Sequence, residues 1–213
     1  MARIALLAGA TGLIGNHVLE LLLADAAYDK VIALSRKPLV SKHTKLENVL
    51  VNIDEWTKVS DLKVDDVFCC LGTTIKQAKT KAAFRKIDFE YPVEVAKALK
   101  QNGATTFLLV SALGADKSSR IFYNQVKGEV EAAVGELVYN ATHIFRPSLL
   151  LGDRKEQRSG EDAAKVFYKI FGWLIPQKYK GVEAAKVARA MVAEAKSGKQ
   201  GLHVYESAAL QKY

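Results

Sequence analysis

Short apolar runs alternate with amphipathic stretches along the chain. The run Met1–Ala8 has strand character, and apolar residues then recur at helical spacing from Leu13 to Leu23. Later apolar runs of strand length lie at 30–35, 47–53, 65–71, 105–111, 141–146 and 202–205. Strands that alternate with helices predict an α/β fold, with a doubly wound, mainly parallel sheet that has helices on both faces.

The helical period recurs in later segments. Residues 79–100 predict a helix in two pieces, in which Asp88 caps the second piece and Pro92 occupies its first turn. Asn102-Gly103 is a helix-ending signal. The other predicted helices lie at about 121–138, 161–176 and 182–196. We expect 161–176, which is rich in large apolar side chains, to pack on the body of the protein, with a substrate cover or a subunit contact as the alternative.

A glycine-rich turn, Gly9-Ala-Thr-Gly12-Leu-Ile-Gly15, joins the first strand to the first helix. Gly9 permits the tight turn, Gly12 lets a ligand approach the backbone, and Gly15 lets the helix pack closely on the strand. Backbone N–H groups and the positive end of the helix dipole favour a pyrophosphate at this position. The succession of strand, turn and helix predicts a Rossmann-type dinucleotide-binding domain. The alternative is a turn with a purely structural role.

The end of the second strand indicates which dinucleotide is bound. An acidic residue there would bind the ribose 2′-hydroxyl of NAD, whereas arginine pairs with the 2′-phosphate of NADP. Ser35 and Arg36 occupy this position and Lys37 follows them, so the sequence favours NADP(H). The alternative is that Arg36 and Lys37 form an ordinary charged strand exit.

Ser111 ends the fifth predicted strand, and Tyr123 and Lys127 lie on the helix that follows. Residues four apart on a helix share a face, and an ammonium beside a phenol stabilises the phenolate. Tyr123 could then exchange a proton with a carbonyl or alcohol oxygen, and Ser111 could form a hydrogen bond with the same oxygen. These three residues are the predicted catalytic group. A solvated surface pair is the alternative for Tyr123 and Lys127.

The carboxyl ends of parallel strands form the crevice in which α/β sheets bind ligands. We therefore expect Gly72 and Thr73, after the fourth strand, to pass close to the cofactor, and the exit of the sixth strand to lie at its nicotinamide end. The predicted cofactor contacts are Gly9, Thr11, Gly12, Leu13, Ile14, Gly15, Ser35, Arg36, Lys37, Leu71, Gly72, Thr73, Tyr123, Lys127, Pro147, Ser148 and Leu149.

The chain of 213 residues has the length of one domain. We expect a single dinucleotide-binding domain over 1–213, in which about 150–213 form a small substrate or cover region. No apolar run reaches the roughly twenty residues of a membrane span, so no membrane span is expected. The net charge of +8 comes largely from scattered lysines, which disfavours nucleic acid as a partner.

The cysteines and histidines indicate neither a disulfide framework nor a metal site. Cys69 and Cys70 are adjacent within a strand, where packing is their expected role. Without a disulfide framework, a reducing, cytoplasmic setting is expected. The histidines are dispersed without metal-ligand spacing, and His143, within a strand, is expected to be structural.

The glycine turn, Ser111 and Tyr123-x-x-x-Lys127 together resemble the short-chain dehydrogenase/reductase superfamily, in its atypical form. More narrowly, four segments resemble the Tat-interacting-protein oxidoreductase family, and the compact chain resembles a bacterial member of that family. These segments are Cys69-Cys-Leu-Gly-Thr-Thr74, Gly114-Ala-Asp-Lys-Ser-Ser119, Tyr123-Asn-Gln-Val-Lys-Gly-Glu-Val-Glu131 and Phe145-Arg-Pro-Ser-Leu-Leu-Leu-Gly-Asp-Arg154. The resemblance implies a Rossmann fold, NADPH binding and a Ser–Tyr–Lys triad at Ser111, Tyr123 and Lys127.

Two functions are compatible with these features. The first is an NADPH-dependent oxidoreductase that reduces a small carbonyl substrate, or oxidises the corresponding alcohol, by hydride transfer. The second is an NADPH-binding regulator or redox sensor with little turnover that acts through protein partners, because mammalian members of the resembled family are described chiefly as regulators. A homodimer is possible with either function.

Overall fold

The structure, a computed structural model, describes residues 3–51, 59, 61–152 and 180–213. Its strands are β1 (Arg3–Ala8), β2 (Tyr28–Ser35), β3 (Leu46–Leu50), β4 (Asp66–Cys69), β5 (Thr106–Val110), β6 (Ala141–Arg146), β7 (Leu150–Leu151), β8 (Val182–Glu183) and β9 (Gly201–Glu206). Its helices are α1 (Leu13–Ala24), α2 (Ile75–Ala78), α3 (Lys81–Arg85), a π-helix (Lys86–Glu90), α4 (Tyr91–Gln101), α5 (Phe122–Gly135), α6 (Ala184–Ala195) and α7 (Ser207–Leu210).

The main sheet has seven parallel strands in the order β3-β2-β1-β4-β5-β6-β9, and β7 pairs with β8 in a second, short sheet. Helices flank the main sheet, so the predicted α/β class with a doubly wound parallel sheet is confirmed. From β1 the strands proceed to one edge of the sheet through β2 and β3, and from β4 they proceed to the other edge through β5, β6 and β9. Open parallel sheets bind ligands at such a point of reversal, which here lies between β1 and β4.

Apolar side chains on the two faces of the sheet meet different helices. Leu7 of β1 belongs to one core cluster, together with Leu22 of α1 and side chains of α6. The neighbouring Leu6 belongs to the other cluster, together with Leu99 of α4 and side chains of α5. Successive residues of a strand point to opposite faces, so β1 is buried on both sides. This double burial explains why the strand is a continuous apolar run in the sequence.

The helical segment before β5 differs from its prediction. The chain is helical without a break from Lys81 to Gln101, and the π-helix forms the middle of this stretch. Asp88 lies within the π-helix and is buried, so the prediction that it caps a helix is wrong. A capping side chain needs N–H groups without a partner, and these occur at the start of a helix. Thr80 lies at such a start and accepts the Ala83 N–H at 3.1 Å.

The described C-terminal residues extend the main sheet. β9 runs parallel to β6, and α6 packs against α1. The predicted helix at 161–176 lies outside the described residues, so the division of the chain into a domain core and a cover region from about 150 stays a prediction. Within the described ranges, every helix is too short or too polar to cross a membrane.

Glu194, near the end of α6, binds three side chains of the C-terminal region. Its carboxylate accepts hydrogen bonds from the Lys199 ammonium at 2.9 Å, the Tyr205 hydroxyl at 2.8 Å and the Tyr213 hydroxyl at 2.6 Å. Burial by itself would raise the pKa of Glu194, but these donors outweigh burial and lower the pKa to about 2. The ionised carboxylate is therefore part of what holds the C-terminus on the sheet.

Glu194→Gln is expected to lower the free energy of unfolding at neutral pH. The pKa of Glu194 falls from its ordinary value of 4.5 to about 2 on folding. The stabilisation by the carboxylate is therefore present above about pH 4.5 and is lost as the pH falls through 2. Urea unfolding of wild type and variant at a series of pH values measures this. Their difference should shrink with acidification, and a constant difference would contradict the assignment.

A matched control is Glu47→Gln, which removes the partner of Lys30 in an ion pair whose side chains are both 45% exposed. Exposed ion pairs contribute at most about 1 kcal/mol. The Glu47→Gln variant should therefore unfold at nearly the wild-type urea concentration at pH 7, where Glu194→Gln shows its full effect.

Candidate active site

The predicted site residues gather at one edge of the sheet. Because the strands are parallel, their carboxyl ends lie together, and Ala8 of β1 is in register with Leu34 of β2 and with Cys69 of β4. Most of the predicted site residues lie at or just after these ends, in the segments 9–15, 35–37, 71–73, 111 and 147–149. The crevice outside the carboxyl ends of the strands is the ligand-binding position of this fold class.

Backbone contacts close the glycine turn after β1 and exclude larger residues. Gly9 has φ +91°, and a Cβ at this position would lie 2.6 Å from the carbonyl oxygen of Cys70. A Cβ on Gly15 would lie 2.0 Å from the carbonyl oxygen of Gly9. A Cβ on Gly12 would be 3.3 Å from its nearest neighbour, the Gly9 carbonyl oxygen. Packing therefore requires glycine at 9 and 15, whereas at 12 the protein itself leaves nearly enough room for a methyl group.

The start of α1 suits an anionic ligand. Gly12 is the capping residue and makes no side-chain hydrogen bond, and the first turn of α1 has no acidic residue. The first-turn N–H groups of Leu13 and Ile14 therefore lack a capping side chain within the described structure, and Thr11 is exposed next to them. N–H groups that no side chain caps, together with the helix dipole, fit the pyrophosphate of a dinucleotide cofactor.

Asn48 of β3 shapes the exit of β2. Its Nδ2 donates to the Ser35 hydroxyl at 2.8 Å, and its Oδ1 accepts the Leu39 N–H at 2.8 Å. The Ser35 hydroxyl in turn donates to the Lys37 carbonyl at 2.7 Å. Arg36 and Lys37 are exposed on the loop that these bonds hold. Two cations therefore stand at the position where the sequence predicts the adenosine ribose.

An ion pair with Asp88 holds Lys127 at the exit of β4. Its ammonium nitrogen is 2.7 Å from Asp88 Oδ1, and Asp88 Oδ2 accepts the Thr73 N–H at 2.8 Å. A Cβ on Gly72 would lie 3.7 Å from the Lys127 nitrogen, so the ammonium adjoins the backbone predicted to pass the cofactor. Burial disfavours the charged form of Lys127, but attraction by Asp88 outweighs burial and raises the pKa of Lys127.

Tyr123, Lys127 and Glu131 follow one another at intervals of four and share one face of α5. The ring of Tyr123 packs against Phe84 of α3 with a centroid distance of 5.6 Å, and Tyr123 is half-buried. Tyr123 is also close enough to Lys127 to favour the charged form of that lysine. The phenol and the ammonium therefore lie side by side at the crevice.

Ser111 forms a hydrogen bond with Glu131, the third residue on that face of α5. Its hydroxyl donates to the Glu131 carboxylate, which also receives the Arg146 guanidinium at 3.0 Å through Nε and at 2.5 Å through Nη2. In each of these contacts the Glu131 carboxylate is the acceptor. The single hydrogen of the Ser111 hydroxyl is therefore directed to Glu131, and a ligand at Ser111 meets an acceptor.

The exit of β6 is joined to two other parts of the chain. The Pro147 carbonyl accepts the Leu113 N–H at 2.9 Å, and the Ser148 hydroxyl donates to the Lys180 carbonyl at 2.5 Å. Leu149 is 47% exposed. Of the three residues predicted to contact the nicotinamide end of the cofactor, Leu149 is the one whose side chain is most open to solvent.

Cys69, Cys70 and His143 are poor candidates for catalysis. Burial raises the pKa of the Cys69 thiol to about 11 and that of the Cys70 thiol well above its ordinary value. Burial lowers the pKa of His143 to about 4, and its Nδ1 lies 3.1 Å from the Tyr205 hydroxyl. The thiols stay protonated and the imidazole stays neutral at pH 7, as packing residues do.

Three side chains that organise this site were not predicted from the sequence: Asp88, Glu131 and Asn48. Glu131 had a usable signal, because it follows Lys127 by four residues on the face that contains Tyr123. Asp88 had a weaker one, a carboxylate between the apolar side chains of Ile87 and Phe89 in a helical stretch. Asn48 had none, since its contacts exist only once β3 pairs with β2.

Comparisons with known proteins identify the family and the fold of the chain. Residues 9–148 match a family described as NAD(P)H-binding. Protein HTATIP2 of Rattus norvegicus is 38% identical over 191 residues, which are 86% of this chain and 77% of that protein. Protein FMP52, mitochondrial, of Debaryomyces hansenii is 35% identical over 201 residues, which are 89% and 88% of the two chains. In fold, the chain is similar to the Bordetella bronchiseptica enzyme WbmH in complex with NAD+, with a TM-score of 0.73 at 18% identity over 97% of this chain and 76% of that one.

The names of the relatives contradict the expected cytoplasmic setting. Several fungal FMP52 proteins are named mitochondrial. The prediction was wrong because it rested on cysteines without a disulfide framework. Such cysteines argue against oxidising compartments but do not distinguish one reducing compartment from another.

Proposed function

This chain belongs to the NAD(P)H-binding family and, within it, to the atypical short-chain dehydrogenase/reductases related to HTATIP2, and from this premise we propose that it is an NADPH-dependent reductase of a small carbonyl compound. The observation that carries the proposal is the position of Tyr123 and Lys127 on one face of α5, with the Lys127 ammonium next to Gly72 at the exit of β4. A phenol supported by an ammonium is a suitable proton donor to a carbonyl oxygen at a nucleotide crevice.

Each residue has a separate role in the proposed reaction. When bound, NADPH supplies the hydride that reduces the carbonyl carbon. Tyr123 donates its hydroxyl proton to the carbonyl oxygen, so that the C=O group becomes an alcohol. Lys127 would stabilise the phenolate that Tyr123 leaves behind and would hold the nicotinamide ribose by hydrogen bonds from its ammonium. In the reverse reaction, the Tyr123 phenolate takes the proton of the alcohol.

Ser111 is proposed to orient the substrate oxygen. In this structure its hydrogen is directed to Glu131, so toward a ligand the Ser111 oxygen is an acceptor. To donate to a carbonyl oxygen, its hydroxyl has to turn away from Glu131. In the reverse reaction the one O–H hydrogen of the alcohol goes to Tyr123, so Ser111 has to turn its hydroxyl toward the alcohol oxygen as it does toward the carbonyl oxygen.

The remaining contacts are proposed from the edge of the sheet at which they lie. The turn 9–15 and the first turn of α1 would hold the pyrophosphate, and Ser35, Arg36 and Lys37 would face the adenosine ribose and its 2′-phosphate. The segments 71–73 and 147–149 would flank the nicotinamide half. Supporting this arrangement, the glycine turn lacks a side-chain cap and the two cations of the β2 exit are exposed.

The experiment that tests the proposal follows the loss of NADPH absorbance with a panel of small aldehydes, ketones and quinones. The wild-type protein should oxidise NADPH with at least one class of carbonyl compound and should form the alcohol in equal amount. The absence of turnover across the panel would count against the reductase and for the second function below.

Arg36→Ser is expected to weaken NADPH binding while leaving NADH binding nearly unchanged. The variant loses a charge-assisted bond to the 2′-phosphate, a group that NADH lacks. Such bonds contribute about 1.5–3 kcal/mol, or roughly tenfold to a hundredfold in Kd. Fluorescence titration with both cofactors measures the effect. Lys63→Ser is the control, because Lys63 is exposed and precedes β4, at the opposite edge of the sheet.

One observation favours a second function. The Ser111 hydrogen is directed to Glu131 rather than to a substrate position, and the Glu131–Arg146 pair holds it there. A protein that binds NADPH as a regulatory ligand and passes its bound state to a protein partner needs no aligned serine. This alternative predicts tight NADPH binding without carbonyl turnover, and a partner that associates with only one cofactor state.

A further inference from the structure

A buried carboxylate connects Lys127 to the backbone at the exit of β4. Asp88 is only 1% exposed. Its Oδ2 accepts the Thr73 N–H at 2.8 Å, and its Oδ1 lies 2.7 Å from the Lys127 nitrogen. A Cβ on Gly72 would lie 3.4 Å from the same Oδ1. One carboxylate thus fixes a strand exit and a side chain of another helix at the same place.

Resting on the proposed function, we propose that Asp88 is a positioning residue that holds the Lys127 ammonium at the cofactor crevice. It acts through Lys127 and through the Thr73 backbone, and it contacts neither substrate nor cofactor itself. The π-helix that contains Asp88 supports this role, because π-helices are rare and are frequent at functional sites. Here the π-helix packs against α5, the helix of Tyr123 and Lys127.

The groups that face Lys127 come from three elements. They are Asp88 from the π-helix, Tyr123 from α5 itself and Cys69 from β4. The Cys69 thiol has its pKa raised to about 11 by burial and is uncharged at neutral pH. Among these groups of the described structure, Asp88 supplies the negative charge that offsets the burial of the ammonium. Without that charge, burial would favour the neutral amine of Lys127.

The protonation state of Lys127 determines what it can do at the crevice. An ammonium has three N–H donors, so beside its ion pair with Asp88 it can still donate to the phenolate and the ribose hydroxyls. A neutral amine stabilises neither a phenolate nor an electron-rich hydroxyl to the same extent. We therefore expect Asp88→Asn, which keeps the shape of the side chain, to make NADPH binding dependent on pH.

The direct measurement is the titration of Lys127 in the protein without cofactor, by NMR of its side-chain carbon and nitrogen. The Lys127→Met variant assigns the signal. In wild type, Lys127 should remain charged throughout pH 7–9.5, whereas in Asp88→Asn it should titrate within this range. A wild-type Lys127 that loses its proton below pH 9.5 overturns the proposal, and this holds even where Asp88→Asn is too unstable to study.

The second measurement is the Kd of NADPH between pH 7 and pH 9.5. Wild type should show a nearly constant Kd, and Asp88→Asn should lose affinity by up to about tenfold per pH unit above the lowered pKa of Lys127. Asp88→Glu, which restores the charge, should restore most of the flat profile. In the Lys127→Met background, Asp88→Asn should have no further pH effect, because the titrating group is gone.

Asp66→Asn is the matched control. Asp66 is also fully buried and also pairs with a cation, Arg3, but it lies at the opposite end of β4. Its loss should reduce stability without making NADPH binding dependent on pH. The same pH dependence in Asp66→Asn would show a general effect of destabilisation and would overturn the role of Asp88. Neither the NMR titration nor the Kd depends on turnover, so a protein without reductase activity can still confirm or reject this proposal.

Discussion

Tyr123→Phe is expected to abolish carbonyl reduction while the Kd of NADPH stays within about threefold of wild type. The variant removes one hydroxyl and keeps the ring that packs on Phe84 at a centroid distance of 5.6 Å. A positioned proton donor contributes about 10²–10⁴-fold to a rate, so a loss of this size is expected in kcat. Lys127 keeps its ion pair with Asp88 and should still bind the ribose.

Steady-state kinetics on an active carbonyl compound and NADPH titration measure the two effects separately. Tyr139→Phe is the control: this tyrosine is buried, and its hydroxyl donates to the Ala96 carbonyl at 2.6 Å, away from the crevice. It should lose stability and keep its turnover per folded molecule. Unchanged turnover in Tyr123→Phe would rule out Tyr123 as the proton donor. Loss of both turnover and NADPH binding would instead point to a structural role for the hydroxyl.

The central strands of the sheet could be predicted because they are largely buried on both faces. Such a strand is a continuous apolar run, as at Phe107–Leu109 of β5, and its ends are marked by polar residues or glycine. The bounds of β6, Ala141–Arg146, agree with the sequence pattern for this reason. The π-helix could not be predicted, because its period differs little from that of an α-helix over five residues.

The candidate site was predictable as far as it depends on strand ends and helix spacing. Strand ends bring the glycine turn and the segments after β2, β4 and β6 to one edge, and spacing by four places Tyr123 beside Lys127. Partners that are distant in sequence were not predictable. Asp88 reaches Lys127 only because the π-helix packs on α5, and Ser111 meets Glu131 only because the fold brings the exit of β5 to α5. These contacts decide the charge of Lys127 and the direction of the serine hydrogen.

Gly12→Ala is expected to fold nearly as well as wild type and to lose most of its affinity for NADPH. A Cβ here would lie 3.3 Å from the Gly9 carbonyl oxygen, which a shift of a few tenths of an ångström relieves. Gly12 has φ −76° and ψ 168°, a conformation that alanine adopts, and alanine in place of glycine at a helix cap costs about 1 kcal/mol or less. The methyl group, however, would stand where the pyrophosphate has to approach the backbone.

Gly15→Ala separates packing from ligand approach and is expected to lose both stability and NADPH binding. In a helix, replacing glycine by alanine ordinarily stabilises by up to about 1 kcal/mol. At Gly15 the new Cβ would lie 2.0 Å from the Gly9 carbonyl oxygen, which is backbone and cannot turn aside as a side chain would. Overpacking of this kind costs about 1–3 kcal/mol or more and forces α1 away from β1. Urea unfolding and NADPH titration of both variants give the test. If Gly12→Ala is as unstable as Gly15→Ala, its loss of NADPH binding is a folding effect. If Gly12→Ala binds NADPH as wild type does, the cofactor does not pass over this turn.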